Sequence, residues 1–186
     1  MRILTPDEAL TLLRTHLPGV PTDFGCPPGA PNAARLAGSV EQLTLKHKLA
    51  LGRRCVAWLS SAGVDRLIVW IREAFIWRAR IDLYNLWRTV ESPAEGDGLA
   101  LTPEGPWPAH VFTSGEMDSA AMLIAIAMYE GLGITAAMLD TGATATLNID
   151  HDGHVFVRSA SMNEAEVLES LAPIREMLDQ AKERGR

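Results

Sequence analysis

The stretch AHVFTSGEMDSAAMLIAIAMYEG, residues 109–131, decides how this chain of 186 residues has to fold. AHVFT reads as a strand, and MDSAAMLIAIAMYEG reads as a helix. From Ala120 to Met128 nine residues in succession are apolar. No face of such a helix suits water, so every face must be covered by other parts of the chain. Three short strand patterns follow, ITAAMLD, ATLNID and HVFVRS, ending at Ser159. This β-α-β-β-β order predicts an α+β fold: a small mixed sheet carries the buried helix on one face, and the βαβ step crosses over right-handed.

The remaining segments supply the cover. Thr5 to Leu17 reads as a short amphipathic helix, with Thr5 in cap position, Pro6 in the first turn, and Asp7 and Glu8 at the positive end of its dipole. Residues 18–38 contain five prolines and four glycines and keep no periodic pattern, so they read as a loop or an extended strap. Ser39, with Gln42 three residues later, predicts the start of a helix that runs to about Ala62. From Val64 to Val90 the residues Val64, Leu67, Ile68, Ile71, Phe75, Leu83, Leu86 and Val90 fit one face of a second, longer helix. A strand over Leu67 to Trp77 is the competing reading, because Ile, Val, Phe and Trp favour sheets. Residues 92–108 form a Pro/Gly-rich linker. Ser161 and Glu164 predict the start of a C-terminal helix, which Pro173 should kink or split. The chain thus divides into a helical N-terminal region over 1–91, a linker over 92–108 and an α+β region over 109–186, with closure into a single domain equally open.

A hydrophobic content of 47% with 22% charged residues is that of a globular chain able to build its own core. Cys26 and Cys55 form no CxxC pair and read as free thiols. Pro6, Asp7 and Glu8 stand where a signal peptide needs an apolar run, and no apolar segment is long enough to span a bilayer. The expectation is a cytoplasmic protein with no membrane contact. The net charge of −6 conceals an asymmetry: residues 35–88 carry ten Lys and Arg against four Asp and Glu, so the remainder carries −12. The two parts can attract each other within one fold, or the basic part can form a binding face.

Four groups of residues carry chemistry. Leu139-Asp140-Thr141-Gly142-Ala143-Thr144, after the apolar Ala136, Ala137 and Met138, resembles the catalytic loop of retroviral-type aspartic proteases. That resemblance implies Asp140 as a catalytic carboxylate, one of two that share a proton across a dimer. The surroundings depart from that family, since a helix precedes the string and only 46 residues follow it. The turn reading is a Thr-Gly hairpin between two strands. His151-Asp152-Gly153-His154 is the second group. With Asp152-Gly153 as a two-residue turn, the two imidazoles oppose each other and could clip a metal together with Asp152 or Asp150, His110 being a possible third ligand. Read as an ordinary hairpin tip, it holds none, and no cofactor is expected. The third, Thr113 to Ser119, is a strand-to-helix turn. Glu116 and Asp118 there cap the helix and repel phosphate. The fourth interleaves Trp70, Trp77, Tyr84 and Trp87 with Arg72, Arg78 and Arg80, residue types that dominate protein–protein hot spots. Burial of the Trp rings with Arg heads reaching out is the alternative.

No nucleophile–base set, phosphate loop or dinucleotide fingerprint is present in the sequence. The expectation is therefore a non-enzymatic interaction or regulatory protein of the inhibitor, immunity or assembly-factor type. Its partner would be another protein or a second copy of the chain, nucleic acid being disfavoured by the acidic balance. The competing class is a small hydrolase or metal-dependent enzyme using Asp140 or the His151/His154 pair.

Overall fold

A computed structural model describes residues 1–16, 33–36, 39–60, 66–74, 82–91, 107–139, 145–159 and 162–184. Its centre is the helix foreseen in the sequence, α4 (Met117–Glu130), and nine of its fourteen residues are buried. The expected capping role of Glu116 holds: its Oε2 accepts from the backbone N–H and the hydroxyl of Thr113, both at 2.9 Å. The flanking strands also fall where the alternation places them: β4 (Ala109–Thr113) before the helix, and β5 (Leu132–Met138), β6 (Ala145–Ile149) and β7 (Val155–Ser159) after it.

The α+β class holds, but the sheet is larger than expected and antiparallel throughout rather than mixed. Together with β1 (Arg2–Leu4), β2 (Ala33–Arg35) and β3 (Arg66–Ala74), the strands run in the order β1-β4-β3-β5-β6-β7-β2. β4 and β5 are not neighbours, because β3 lies between them and pairs antiparallel with both. Strands from either side of residues 92–108 thus interleave in one sheet. Of that expected linker only 107 and 108 lie within the described residues, and of the strap over 18–38 only the stretch containing β2 does.

The long helix expected over 64–90 is a correction. Arg66–Ala74 is strand β3, and helix α3 begins only at Asp82 and ends at Glu91. Leu67, Val69 and Ile71 point into the cluster around α4, while Ile68 and Trp70 point into a second cluster on the other face. That second face is covered by α1 (Pro6–His16), which contributes Ala9 and Leu13. A central strand packed on both faces is apolar at every position, so period two vanishes and a helical spacing can be picked out of the run.

The helix expected over 39–62 is likewise two pieces. A 3-10 turn at Val40–Gln42 precedes α2 (Leu45–Ser60), and Ser39 Oγ accepts from Glu41 N. The C-terminal helix starts two residues later than foreseen, with Asn163 and Glu166 forming the capping box. It divides into α5 (Glu164–Ser170) and α6 (Ala172–Arg184), with Pro173 in the first turn of the second.

α2 crosses α4 so closely that its Gly52 has no room for a side chain. A Cβ there would sit 2.4 Å from the carbonyl oxygen of Ala121 and 3.5 Å from Ala125 N. The opposite side of α2 docks on the C-terminal helices, where Trp58 Nε1 donates to Ser170 Oγ at 3.0 Å and Arg54 donates to the carbonyl of Pro173. Because the Ala121 oxygen is backbone, it cannot swing aside. We expect Gly52→Ala to lower stability by roughly 1–3 kcal/mol through overpacking, although alanine is the better helix former. Gly115→Ala, whose Cβ meets nothing within 4 Å, should change it little. Thermal or urea unfolding of the two variants checks this; equal midpoints would show that the helices have slack at their crossing.

Ile124, fully buried at the centre of the apolar run, allows a second test. Ile124→Ala should cost about 2–5 kcal/mol, against little for exposed Arg175→Ala, by urea denaturation.

Candidate functional site

Helix α3 runs antiparallel beside α4. At one end the Glu130 carboxylate accepts from the backbone N–H groups of Leu83 (2.7 Å) and Tyr84 (3.2 Å). At the other, Ser119 Oγ donates to Glu91 Oε2 at 2.7 Å. Glu130 therefore supplies the acceptor that the free N–H groups of the first turn of α3 require. Its own burial pushes its carboxyl up to about 7, against the Leu83 and Tyr84 donors that favour the charged form; the nearby Asp82 adds to the rise.

Beneath α3 lies a buried aromatic and polar cluster. Tyr84 Oη is 2.8 Å from His110 Nε2. The rings of Trp87 and Phe112 lie 5.4 and 6.3 Å from the imidazole. His110 is fully buried, and desolvation, with the charge of Arg88 beside it, holds its pKa down at about 3. Burial likewise raises the phenol of Tyr84. A neutral imidazole sealed in this way fixes α3 to the sheet and cannot reach a substrate.

These positions correct the expected interaction face. Tyr84 and Trp87 are core residues, and Trp70 lies on the far side of the sheet with its Nε1 donating to the Trp107 carbonyl at 3.3 Å. Arg72 stacks its guanidinium 4.2 Å from the centre of the Trp70 ring. Of the described members of that face, none of the three aromatics is free to meet a partner. Trp77, Arg78 and Arg80 lie outside the described residues.

The histidine hairpin is also built differently from the expectation. Ile149 and Val155 are the last ladder pair, and Asp150 N donates to His154 O at 3.1 Å. Gly153 N closes a turn onto Asp150 O at 2.9 Å, with Gly153 itself at φ 77°. The tip is therefore a three-residue loop with a left-handed glycine, not a two-residue one. Asp150, and not His151, stands opposite His154 and holds it at 3.0 Å between Oδ2 and Nδ1. Nor is the tip free, since Val40 N donates to Gly153 O and Ser39 Oγ to the carbonyl of Asp152. His110, on β4, is three strand spacings from β6, about 14 Å, and on a different part of the sheet. Among the described residues no three metal-ligating side chains converge. Leu139 is buried at the end of β5, and Asp140 lies outside the described residues.

The docked hairpin tip closes one side of a pocket that sequence reasoning missed. It has a volume of about 160 Å³ and lies at the C-terminal end of α4, between the start of α2 and the tip. Lys48 is 5% exposed and donates from Nζ to the carbonyl of Met128 at 3.0 Å. The same ammonium lies 5.8 Å from the centre of the Tyr129 ring. Burial lowers the lysine pKa, partly offset by Glu41. Glu41, Asp150 and His151 also line the pocket. One signal was legible: Lys48 shares the inward stripe of α2 with Leu51, Cys55 and Leu59, where a charged residue needs a reason. Cys55 itself is inert, its thiol pushed up to about 12 by full burial.

Exposed apolar side chains collect on the outer surface of the two antiparallel helices. Leu86 and Val90 of α3 are 62% and 69% exposed, and Met122 and Tyr129 of α4 are 40% and 48% exposed. Among the described residues no helix is long and apolar enough to cross a membrane. Comparisons with protein families, curated proteins and solved structures find no match for the chain.

Two of the buried titratable groups, His110 and Glu130, predict opposite responses to pH. Between 6.5 and about 3 the unfolded chain takes up a proton on His110 that the fold refuses, so stability falls as the solution is acidified. Between 4.5 and about 7 the fold keeps a proton on Glu130 that the unfolded chain gives up, so stability falls as pH rises there. His110→Gln should flatten the acid limb and Glu130→Gln the other, in urea midpoints measured across both ranges.

Proposed function

We propose that the chain is a non-enzymatic interaction or regulatory protein, of the inhibitor, immunity or assembly-factor type, and that it docks its partner on the outer surface of α3 and α4. The observation that carries this is the exposure of Leu86, Val90, Met122 and Tyr129, four of the five large apolar side chains exposed among the described residues. Leu86 and Val90 are one turn apart on α3, and Met122 and Tyr129 are two turns apart on α4, so each pair shares a helix face. Apolar side chains gathered on adjoining helices mark partner sites more often than single ones do. Burial of His110 supports the same reading, because it removes a group that a hydrolytic site would need.

Neither Leu86 nor Val90 supports the core, so glutamate at both should leave stability within about 0.5 kcal/mol while opposing a desolvated interface. The test is quantitative co-purification of the tagged chain from its own cells, with light scattering of the isolated chain to detect a second copy. A partner held by the wild type and by Arg175→Glu should be lost from the Leu86→Glu/Val90→Glu double variant. Equal retention in all three would place the docking surface elsewhere.

A further inference from the structure

Helix α4 is flanked on both edges of its outer surface. The Ala121 carbonyl lies against Gly52 of α2, and Lys48 of α2 donates to the Met128 carbonyl, so α2 runs antiparallel to α4. On the other edge Ser119 bonds Glu91, and Glu130 bonds the N–H groups of Leu83 and Tyr84, so α3 is antiparallel to it as well. α2 and α3 therefore run parallel to each other with α4 between them. At about 100° per residue, Met122 and Tyr129 project between the two lines of contact. Leu86 and Val90 stand on α3. On α2, Leu45, Leu49 and Arg53 follow at four-residue spacing, and Arg53 meets Asp118 of α4 at 3.4 Å, which puts that stripe on the edge beside α4. Leu45 is 47% exposed, so all five of the large apolar side chains exposed among the described residues belong to this one three-helix face.

The two edges differ in sign. Lys46 is exposed on α2, and Asp82 is exposed at the start of α3. Both lie level with the C-terminal end of α4: Lys46 is two residues before Lys48, which reaches Met128, and Asp82 precedes Leu83, which reaches Glu130. Among the described residues no hydrogen bond or ion pair engages either side chain. At the other end Arg53 and Glu91 are taken up within the chain by Asp118 and Ser119. A face with a basic and an acidic edge at the same level is complementary to itself about a two-fold axis running along α4, because that rotation exchanges the edges and keeps the levels. An axis across the helices would set α2 on α2 and bring Lys46 toward Arg53 of the second copy, like charge on like. A polyanion carries one sign and suits only one edge. We infer that the partner of this face is a second copy of the chain, packed about a two-fold axis along α4, with Lys46 of each copy opposite Asp82 of the other. Met122 and Tyr129, nearest the axis, meet their own counterparts, and Leu86 reaches Leu49 of the second copy. This rests on the reading of the face as a docking surface, and adds the partner and the axis.

The experiment is sedimentation of the full chain over a concentration series. The wild type should pass from monomer to dimer as concentration rises. Lys46→Glu and Asp82→Lys should each weaken the dimer about tenfold or more, since each sets like charges together at two symmetric places. An equimolar mixture of these two variants should associate nearly as the wild type does, because in the mixed dimer every one of these positions again meets the opposite sign. That rescue also excludes damage to the fold as the cause of either single effect. A wild type that stays monomeric, while Leu86→Glu/Val90→Glu still loses a captured partner, would overturn the second copy and leave the docking face standing. A dimer that survives Leu86→Glu/Val90→Glu would overturn both. A dimer lost in that variant but indifferent to the two charge reversals, or a mixture no tighter than the single variants, would overturn the arrangement about α4.

Discussion

The crossing of α2 over α4 at Gly52 is the contact on which the architecture depends. An apolar helix needs cover on every side, and a sheet covers only one. α2 can cover a second side closely because one of its residues has no side chain there and the backbones approach directly, Gly52 against Ala121 and Ala125. Small residues on both helices make the approach possible, with Ala121 and Ala125 on the side of α4 that faces Gly52. α2 then presents its outer edge, Arg54 and Trp58, to the C-terminal helices, so the third stratum of the fold is hung from the second.

Much of this was legible in the sequence, and the exceptions share one cause. The β-α-β-β-β segment was readable because its strands are short and bounded by turn residues, and because nine apolar residues in a row admit one structural outcome. Strand β3 was misread because α1 covers its far face. Leu67 to Ile71 is apolar throughout for lack of any wet side, and a run without alternation fits a helix as well as a strand. The Trp residues were assigned to a surface on the strength of that helix. Once Arg66–Ala74 is a strand, Trp70 faces α1, and Tyr84 and Trp87 belong to a separate short helix lying on the sheet. The pocket was illegible for a different reason: its walls come from the start of α2, the end of α4 and the 150–153 turn, and only tertiary packing brings these together.

The polar groups in the core also have a shared logic. Glu130, His110 and Tyr84 each spend their hydrogen bonds on fixing α3: one at the free N–H groups of its first turn, the other two between its underside and β4. A helix of only ten residues has little apolar area to hold it. Specific buried bonds position such a helix where packing alone leaves it free to slide.

The interleaved sheet has a kinetic consequence. β1 finds its partner at Ala109–Val111, β2 finds its partner at Phe156–Arg158, and β3 lies between strands that both come later in the chain. Nearly every strand of the first half waits for one made much later, so loop closure must be accomplished before any of these ladders is rewarded. On the ribosome the first half emerges with its strands unmatched and the apolar run of β3 uncovered until β4 and β5 have left the exit tunnel. A chain wired in this way folds late and nearly all at once, and during that interval it depends on being shielded from its neighbours.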